Sequence, residues 1–498
     1  MRTAFAVDQI RAAEHALMSR LPEGTLMTRA ATGLAVLCGH ELARAAGRVY
    51  GSRLVVLAGG GDNGGDALFA GARLAARGAR VVAVLASARV HAAGLAALKA
   101  AGGRVLPDVL AGDETWIAPV RDAVAAADLV LDGLVGIGGT GALREPYSAL
   151  VSLVNTEAGG QVVAVDVPSG VDASTGQVEG VALRAGLTVT FGAEKSGLLV
   201  DPGAEYAGRV ELVDIGLVPY LDDPDVVAFG RADVAALLPL PDRESDKYRR
   251  GVVGVMAGSH RYTGAAVLAV GGALRAGAGL VKFAGQREPV DQVRVHWPEA
   301  LITELGGGVS VHDVGRVNSW VIGPGMGVGD DSLEIAREVL AADVPALVDA
   351  DGLTLAAREP SLLRREAPTV ITPHVGEMAR LLGVPREHIE AARLEHARLA
   401  AERFGVTVLL KGSTTVVAEE GRPTLVNTTG TPFLATGGTG DVLAGLGGTL
   451  LAAGLSCYDA ASCAAYLHGL AGRVASAGAP LVAGDLLTSL PEVFASIG

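Results

Sequence analysis

The sequence has few cysteines, few aromatic residues and no excess of positive charge. Its 498 residues include three cysteines, Cys38, Cys457 and Cys463, too few for a disulfide framework or a cysteine-based zinc site. Basic residues number 41 against 54 acidic ones, a formal charge of −13, and this acidity argues against a surface that binds nucleic acid. We therefore expect an acidic protein of a reducing cytoplasm that has no nucleic acid as a partner.

Long uninterrupted apolar runs are also missing. The longest apolar stretch, residues 442–458, contains four glycines and lies between Asp441 and Asp459. It therefore predicts a buried helix rather than a membrane span of about 20 residues. The first 20 residues carry a charge every few positions and lack the apolar core of a signal peptide. We expect no membrane partner and no export by that route.

Glycine, in contrast, is abundant, and it recurs where short apolar strands end. The chain has 69 glycines and only 4% aromatic residues, so its apolar half consists mainly of Ala, Val and Leu. That mixture favours closely packed parallel α/β layers. At about 100 to 200 residues per domain, the length indicates two to four domains.

Strand and helix patterns alternate in the first half of the chain. Helical periodicity at 7–19 and 27–45 is followed by a strand at 53–58, a glycine-rich turn at 59–66 and a helix at 67–77. Further strands are predicted at 80–86, 128–138, 161–170 and 187–192. The alternation predicts an open, mostly parallel sheet.

The pattern stops and restarts near the middle of the chain. Residues 219–245 are rich in Pro, Asp and Arg and show little periodicity, which is typical of a linker. Strands are then predicted at 251–259, 319–327, 344–352, 368–377 and 406–414. The sequence therefore predicts domains at 1–218 and 246–498 joined by a linker at 219–245.

The turn GGGDNGGD, residues 59–66, carries the first chemical signal. Glycines between a strand and a helix let backbone N–H groups approach a phosphate or another anion. The turn is not a P-loop, because the chain contains no Gly-Lys pair. The alternative interpretation is a tight turn without a ligand.

Two aspartates end neighbouring predicted strands of the same sheet. Because the carboxyl ends of adjacent parallel strands face one crevice, Asp132 and Asp166 are expected beside the glycine-rich turn. Asn63, Asp132 and Ser169 offer hard oxygen ligands for a cation, and Asp166 is available to move protons. Each aspartate has helix capping as its alternative role.

The segments AAEHALMSR, GGGDNGGDALFAGARLAARG, DGLVGIGGTGALREP and AVDVPSGVDASTG together resemble the NAD(P)H-hydrate epimerase domain over residues 1–218. The resemblance implies a Rossmann-like three-layer αβα fold, a potassium ion on Asn63, Asp132 and Ser169, and Asp166 at the reacting ring. Asp62 stands where the family usually has Asn, and Ile137 where it usually has Thr. The residues that the resemblance assigns to the hydrated nucleotide are Asp62, Asn63, Gly64, Gly65, Asp66, Gly136, Ile137, Gly138, Gly139, Thr140, Gly141, Ala142 and Asp166.

In the second half, a glycine-rich turn at 435–440 opens a long apolar helix. Backbone N–H groups of Gly437 to Gly440 at the helix start form an anion hole, and Asp441 can take a proton from a hydroxyl aimed at a phosphoryl group. This arrangement is typical of phosphoryl transfer. The alternative role of Asp441 is a first-turn charge on a packing helix.

Other polar residues follow strands of the second half. Lys411 to Thr415 adds a cation and hydroxyls for phosphate or ribose. His374, with Glu377, either holds a ligand or is structural. Asp349 and Asp351 either hold magnesium through water or cap a helix.

The segments KYRRGVVGVMAGSHRYTGAAVLA, VIGPGMG, LVDADGL, TPHVGEMARLLG, LLKGSTT and ATGGTGDVLAGL resemble the ADP/ATP-dependent NAD(P)H-hydrate dehydratase domain, a ribokinase-like α/β fold, over residues 245–495. The resemblance implies magnesium with ADP or ATP, a homo-oligomer, and Asp441 as the catalytic base. It assigns the hydrate to Ala266, Gly325, Met326, Gly327, His374 and Asp441. It assigns the nucleotide to Lys411, Gly412, Ser413, Thr414, Thr415, Gly437, Gly438, Thr439 and Gly440.

Both resemblances together predict one bifunctional enzyme that repairs hydrated NADH and NADPH. The first domain would interconvert the R and S epimers, and the second would dehydrate the S form through a phosphorylated intermediate. The alternative is a ribokinase-like kinase of a vitamin alcohol with an N-terminal binding or protein-interaction module, because fold alone does not fix function.

Overall fold

The computed structural model describes residues 1–106, 109–110, 115–239, 243–244 and 246–498. The chain divides into two compact units. One unit is Thr3–Asp225, and the other is Val226–Gly498 together with Met1–Arg2. Among the described residues, no helix combines the length and the apolarity that a bilayer crossing needs.

The first unit is built on a seven-stranded sheet in the order β4-β3-β2-β5-β6-β7-β9, with every neighbouring pair parallel. Its strands, with the small pair β1 and β8, are β1 (Arg2–Phe5), β2 (Arg53–Ala58), β3 (Arg80–Leu85), β4 (Arg104–Val105), β5 (Leu129–Gly133), β6 (Gln161–Val165), β7 (Leu187–Phe191), β8 (Glu194–Lys195) and β9 (Arg209–Val213). Its helices are α1 (Val7–Met18), α2 (Thr25–Ala46), α3 (Asp62–Ala76), α4 (Ala92–Ala100), α5 (Ile117–Ala125), α6 (Tyr147–Glu157) and α7 (Gly203–Ala207).

Side chains of one strand enter two separate cores, one on each face of the sheet. Leu54 and Val56 of β2 pack in a core with residues of α1, α2 and α3. Val55 and Leu57 pack in the other core with residues of α5 and α6. Because a strand alternates its side chains between faces, these two cores make the three-layer αβα arrangement that the sequence predicts.

In the second unit the sheet runs in the order β13-β12-β11-β14-β15-β16-β17-β18-β19-β10. The strands from β13 to β17 are parallel, whereas β18 is antiparallel to both β17 and β19. The strands are β10 (Val226–Ala228), β11 (Val252–Met256), β12 (Leu280–Gly285), β13 (Leu301–Glu304), β14 (Ser319–Ile322), β15 (Ala346–Val348), β16 (Thr369–Ile371), β17 (Thr407–Leu410), β18 (Thr415–Ala418) and β19 (Thr424–Asn427). The helices are α8 (Arg231–Leu237), α9 (Thr263–Arg275), α10 (Arg287–His296), α11 (Asp330–Leu340), α12 (Ala350–Arg358), α13 (Val375–Leu382), α14 (Arg386–Ala391), α15 (Arg393–Phe404), α16 (Thr439–Ala452), α17 (Cys457–Ser476) and α18 (Ala483–Ile497).

The predicted linker contains regular structure at its C-terminal side. Strand β10 pairs with β19, and Val227 and Val234 are buried in the core of the second unit. Residues 240–242 and 245 of the predicted linker lie outside the described residues. The division of the two activities at 1–218 and 246–498 stays a prediction.

Helix α3 begins earlier than the sequence predicts. The turn was expected to extend to Asp66, but the helix starts at Asp62. Gly64 is required inside the helix because there is no room for a side chain, not because of its backbone conformation. A Cβ on Gly64 would lie 2.4 Å from the carbonyl oxygen of Gly59. This close approach seats the start of α3 against the end of β2.

Candidate active sites in the two units

Asp132 and Ser169 meet at the carboxyl ends of β5 and β6. Asp132 Oδ1 accepts a hydrogen bond from Ser169 Oγ at 2.8 Å, and Oδ2 accepts one from the backbone N–H of Ser169 at 2.9 Å. Both residues are 0% exposed. Burial raises the pKa of Asp132 to about 6, although these hydrogen bonds act to lower it.

Asn63 lies in the first turn of α3, close to the loop that follows β5. A Cβ on Gly136 would be 3.1 Å from Asn63 Oδ1. The Asn63 Nδ2 group is buried without a hydrogen-bond partner among the described residues. The structure therefore brings the three predicted cation ligands to the same end of the sheet, around a buried carboxylate that lacks an ionic partner among the described residues.

Asp166 has an unusual backbone and a heavily bonded side chain. Its φ is +67°, a region that non-glycine residues rarely adopt. Asp166 Oδ1 accepts hydrogen bonds from Lys195 Nζ at 2.5 Å, from Thr190 Oγ1 at 3.1 Å and from the N–H of Phe191 at 3.1 Å. Within the described part of the chain no hydrogen bond reaches Oδ2, so that oxygen is available to a ligand.

Lys195 is a functional residue that the sequence analysis missed. It is 1% exposed, and its Nζ also donates to Thr190 Oγ1 and to the carbonyl of Phe191, both at 2.9 Å. A buried ammonium group is stable only when it is paired and hydrogen-bonded. Lys195 therefore fixes the orientation of the Asp166 side chain. Lysines in EK segments are usually exposed, so the sequence offers no signal for this role.

Two further carboxyl groups surround this pair. Asp66 is 8% exposed, and its Oδ1 has no hydrogen-bond partner among the described residues. Burial, and then the charges of Asp166, Asp62 and Glu14, raise the pKa of Asp66 well above its ordinary value. Burial likewise raises the pKa of Glu14, while the charge of Lys195 lowers it. The site thus combines the ion-paired Asp166 with two carboxyl groups whose pKa values are raised.

A cleft of about 300 Å³ in the first unit is lined by part of the predicted nucleotide-binding loop, but by neither Asp166 nor Asp66. Arg144 and Tyr147, which the sequence analysis did not single out, also line this cleft, and the N–H of Gly60 donates to Tyr147 Oη at 3.3 Å. Ile137 instead packs beside the apolar cores, and Asp62 is exposed at the start of α3. The predicted residues that line the cleft are Gly138, Gly139, Thr140, Gly141 and Ala142.

In the second unit, a cavity of about 820 Å³ brings most of the predicted residues together. Thr414 is buried and does not line it, and neither do Ala266 and residues 325–327. The predicted residues on its wall are His374, Lys411, Gly412, Ser413, Thr415, Gly437, Gly438, Thr439, Gly440 and Asp441.

Asp441 lies in the first turn of α16, directly after a left-handed backbone turn. Gly438 precedes the helix with a φ of +89°, a conformation that glycine adopts at little cost. Burial raises the pKa of Asp441 to about 7, the charges of Asp349 and Asp351 act in the same direction, and the charge of Lys411 opposes them. Its pKa therefore suits a general base near neutral pH.

Lys411 is anchored by carboxylates at the end of β17. Its Nζ lies 2.6 Å from Asp349 Oδ1 and 3.9 Å from Glu377 Oε2. A Cβ on Gly440 would be 3.5 Å from Lys411 Nζ and 3.8 Å from Asp349 Oδ2. The cation and the start of α16 therefore face one space.

His374 has a structural role as well as a place on the cavity wall. As the N-cap of α13, its Nδ1 accepts hydrogen bonds from the N–H groups of Gly376 and Glu377 at 2.9 and 3.3 Å, and Glu377 Oε2 accepts from the N–H of His374 at 2.7 Å. Burial and the nearby charge of Lys411 lower the pKa of His374. The imidazole is therefore neutral, with its Nε2 carrying the proton.

The remaining predicted hydrate contacts lie beside α12 and within α9. The N–H of Gly327 donates to Asp351 Oδ2 at 2.9 Å, and the carbonyl of Met326 accepts from Ser332 Oγ at 3.0 Å. Gly325 has a φ of +61°, and Ala266 is completely buried. Asp351 therefore contacts this segment through Gly327, and its charge raises the pKa of Asp441 on the cavity wall.

The described residues contain no cluster of three His, Cys, Asp or Glu side chains that could hold a metal ion by itself. Asp349, Asp351 and Asp441 offer carboxylate oxygens near the cavity, but Asp349 and Asp351 already bind Lys411 and the N–H of Gly327. Magnesium is usually bound by one or two carboxylates together with phosphates of a substrate. The donor set fits an ion that arrives with a nucleotide.

Comparisons with known proteins cover both units. A family model described as NAD(P)H-hydrate dehydratase matches residues 253–493, and one described as YjeF-related protein N-terminus matches residues 23–197. The bifunctional NAD(P)H-hydrate repair enzyme of Mycobacterium leprae is 45% identical over 479 residues, covering 96% of this chain and 95% of the relative. That of Mycobacterium tuberculosis is 46% identical over 93% of this chain and 92% of the relative. These relatives favour the bifunctional interpretation over a vitamin kinase with a binding module.

Solved structures match the second unit. The ADP/ATP-dependent NAD(P)H-hydrate dehydratase of Bacillus subtilis, co-crystallised with ATP and Mg²⁺, aligns with a TM-score of 0.50 and 30% identity, covering 54% of this chain and 98% of that one. A ribokinase-like superfamily protein of Enterococcus faecalis aligns with a TM-score of 0.50 and 24% identity over 56% of this chain and 98% of its own. The predicted ribokinase-like fold is confirmed.

Proposed function

The chain belongs to the family of bifunctional NAD(P)H-hydrate repair enzymes, and we propose that its two units divide the work at the sites described above. The first unit interconverts the R and S epimers of hydrated NADH and NADPH. The second unit dehydrates the S epimer and consumes ADP or ATP. The observation that supports this division best is the second cavity, where a half-buried aspartate with a pKa of about 7, an anchored lysine and a glycine-rich helix start face one another.

Dehydration needs a better leaving group than hydroxide. Asp441 accepts the proton of the hydroxyl on the hydrated ring, and the hydroxyl oxygen then forms a bond to the terminal phosphorus of the nucleotide. The bond from that phosphorus to the bridging oxygen breaks, and the shortened nucleotide leaves. The C–O bond of the phosphorylated hydrate breaks next, phosphate departs with the electron pair, and loss of a proton from the neighbouring ring carbon restores the double bond.

Two features stabilise the charge that moves in this reaction. The N–H groups of Gly437 to Gly440, at the positive end of the α16 dipole, bind phosphate oxygens. Lys411 adds a full positive charge, and Asp349 keeps its Nζ beside Gly440. Magnesium, brought by the nucleotide, would be held by Asp349 or Asp351 and would neutralise phosphate charge.

In the first unit, Asp166 moves the proton that interconversion of the epimers requires. Lys195 and Thr190 hold its Oδ1, which leaves Oδ2 for the substrate. Gly138 to Ala142 line the cleft of the first unit and would bind the nucleotide.

A potassium ion fits the first unit and would be held by Asn63, Asp132 and Ser169. Asp132 is a fully buried carboxylate, and its charge is compensated by hydrogen bonds alone. A monovalent cation would supply the missing positive charge and fix the loop after β5. We place the enzyme in a reducing cytoplasm, which its three buried free thiols support, and its assembly as a homo-oligomer stays a prediction.

An assay with resolved epimers tests this function. The protein is incubated with the R or the S hydrate of NADH, with ADP or ATP and magnesium, and the absorbance of reduced nicotinamide is followed. We expect nucleotide-dependent recovery from both epimers. Accumulation of a stable phosphorylated product without recovery of NADH would instead support a kinase.

A further inference from the structure

His468 occupies a position on the cavity wall that neither the reaction steps above nor the sequence motifs use. It lies on α17, is 8% exposed, and lines the cavity of the second unit. Its Nε2 is 2.9 Å from the carbonyl oxygen of Thr439. The long apolar helix around it gives no sequence signal for a polar role.

The hydrogen bond fixes the tautomer of this imidazole. A carbonyl oxygen only accepts, so Nε2 must carry a hydrogen, and in the neutral ring Nδ1 is then the unprotonated nitrogen. Burial lowers the pKa of His468 to about 4, although the hydrogen bond to Thr439 acts to raise it. The side chain is therefore a neutral donor at physiological pH.

The carbonyl that His468 holds belongs to the first residue of α16. Thr439 is also fixed through its hydroxyl, which donates to the carbonyls of Leu434 at 2.9 Å and Thr436 at 3.1 Å. Asp441 follows two residues later. Hydrogen bonds at its hydroxyl and at its carbonyl therefore hold Thr439 in place. Thr439 belongs to the segment Gly437 to Asp441, which we propose binds phosphate and which includes the base Asp441.

The next residue of α17, Gly469, packs against the loop that follows β19 and lines the cavity. A Cβ on Gly469 would lie 2.2 Å from Thr429 Oγ1 and 2.9 Å from the backbone nitrogen of Gly430. Helix α17 therefore packs directly against the loop after β19, and His468 cannot shift along α16 without disturbing this contact.

We propose that His468 is a positioning residue of the dehydration site, which holds the phosphate-binding turn Gly437 to Asp441 through its Nε2–H bond to Thr439. The inference rests on the proposed function, because it gives that turn its role in phosphoryl transfer. His468 acts through Thr439 and does not itself contact the reacting atoms.

Three substitutions separate this role from packing. His468→Gln can place an N–H donor where Nε2 stands, whereas His468→Asn is polar but too short, and His468→Leu has no donor. Ser462→Ala is the matched control, because Ser462 is buried on the same helix and its Oγ has no partner among the described residues. Melting temperature identifies any variant that does not fold.

Binding of ATP with magnesium is measured by calorimetry, and kcat for dehydration is measured beside it. Loss of one buried hydrogen bond should weaken ATP binding and lower kcat on the order of tenfold in the Leu and Asn variants, while the Gln variant stays within about threefold of the parent. Equal behaviour of Gln and Asn, or parental values in the Leu variant, would overturn the proposal. If the parent binds ATP without dehydrating the hydrate, the proposed function fails, and the binding series still decides the role of His468.

Discussion

Asp441 is half-buried and Asp166 is buried, and their surroundings differ in charge. Asp441 has other carboxylates nearby, and its pKa is raised to about 7. Asp166 lies against the ammonium group of Lys195. Carboxyl groups held in such different charge environments are typical of active sites.

Dehydration should lose activity as the pH falls below about 7. A base acts only when it is ionised, and Asp441 becomes protonated below its pKa of about 7, so kcat/KM should fall by about tenfold per pH unit there and level off above it. Asp441→Asn should reduce kcat by about 10² to 10⁴ and remove this pH dependence. Exposed Asp331, changed to Asn, is the control, and an unchanged rate in Asp441→Asn would exclude it as the base.

Substitution of Lys195 by Met should damage both stability and epimerisation. Removing one partner of a buried ion pair leaves an uncompensated charge, which costs about 3 to 5 kcal/mol of unfolding free energy. Asp166 should also lose the donor that orients its Oδ1, so the rate of epimer exchange should fall. Denaturant unfolding and exchange kinetics measure these effects, with exposed Lys99→Met as the control. Parental stability in the Lys195 variant would contradict the structure of this pair.

Potassium should bind the first unit more weakly below pH 6. Burial raises the pKa of Asp132 to about 6, so below this pH a proton competes with the cation for the carboxylate. Titration of epimerisation with potassium chloride, using a bulky organic cation to hold ionic strength constant, measures the effect. Indifference to potassium at pH 8 would remove the assignment to Asn63, Asp132 and Ser169.

At the scale of elements, the start of α16 depends on one glycine. Gly438 has a φ of +89°, and a Cβ there would lie 2.6 Å from Leu268 Cδ1. Gly438→Ala should therefore lower stability by about 1 to 3 kcal/mol and weaken ATP binding. Gly484→Ala in the first turn of α18, where nothing lies within 4 Å of the added Cβ, is the control. Equal ATP affinity and stability in both variants would contradict the strain at Gly438.

Periodicity predicts the strands well, because β2, β6 and β17 are short apolar runs closed by glycine, proline or polar residues. The sequence does not predict features that depend on contacts made only in the folded structure. The sequence predicts Gly64 in a turn, but Gly64 lies within α3, where its contact with Gly59 leaves no room for a Cβ. Lys195 pairs with a residue 29 positions away, and His468 binds a carbonyl 29 positions away, so neither partner follows from local pattern.

At the scale of the whole molecule, each unit contains its own sheet, core and candidate site. Val227 and Val234 belong to the core of the second unit, so any separation of the units must precede Val226. The Asp and Pro content of residues 219–245 does not indicate the strand β10 and the helix α8, which are too short to show periodicity.

The most direct test of this division is the time course of NADH recovery from a mixture of R and S hydrates, with ATP in excess, comparing the parent with Asp166→Ala. The parent should convert both epimers in one rapid phase. The variant should convert the S fraction at the parental rate and then slow to the rate of spontaneous epimerisation, because its second unit is intact. Complete recovery by Asp166→Ala at the parental rate would contradict the assignment of epimerisation to the first unit.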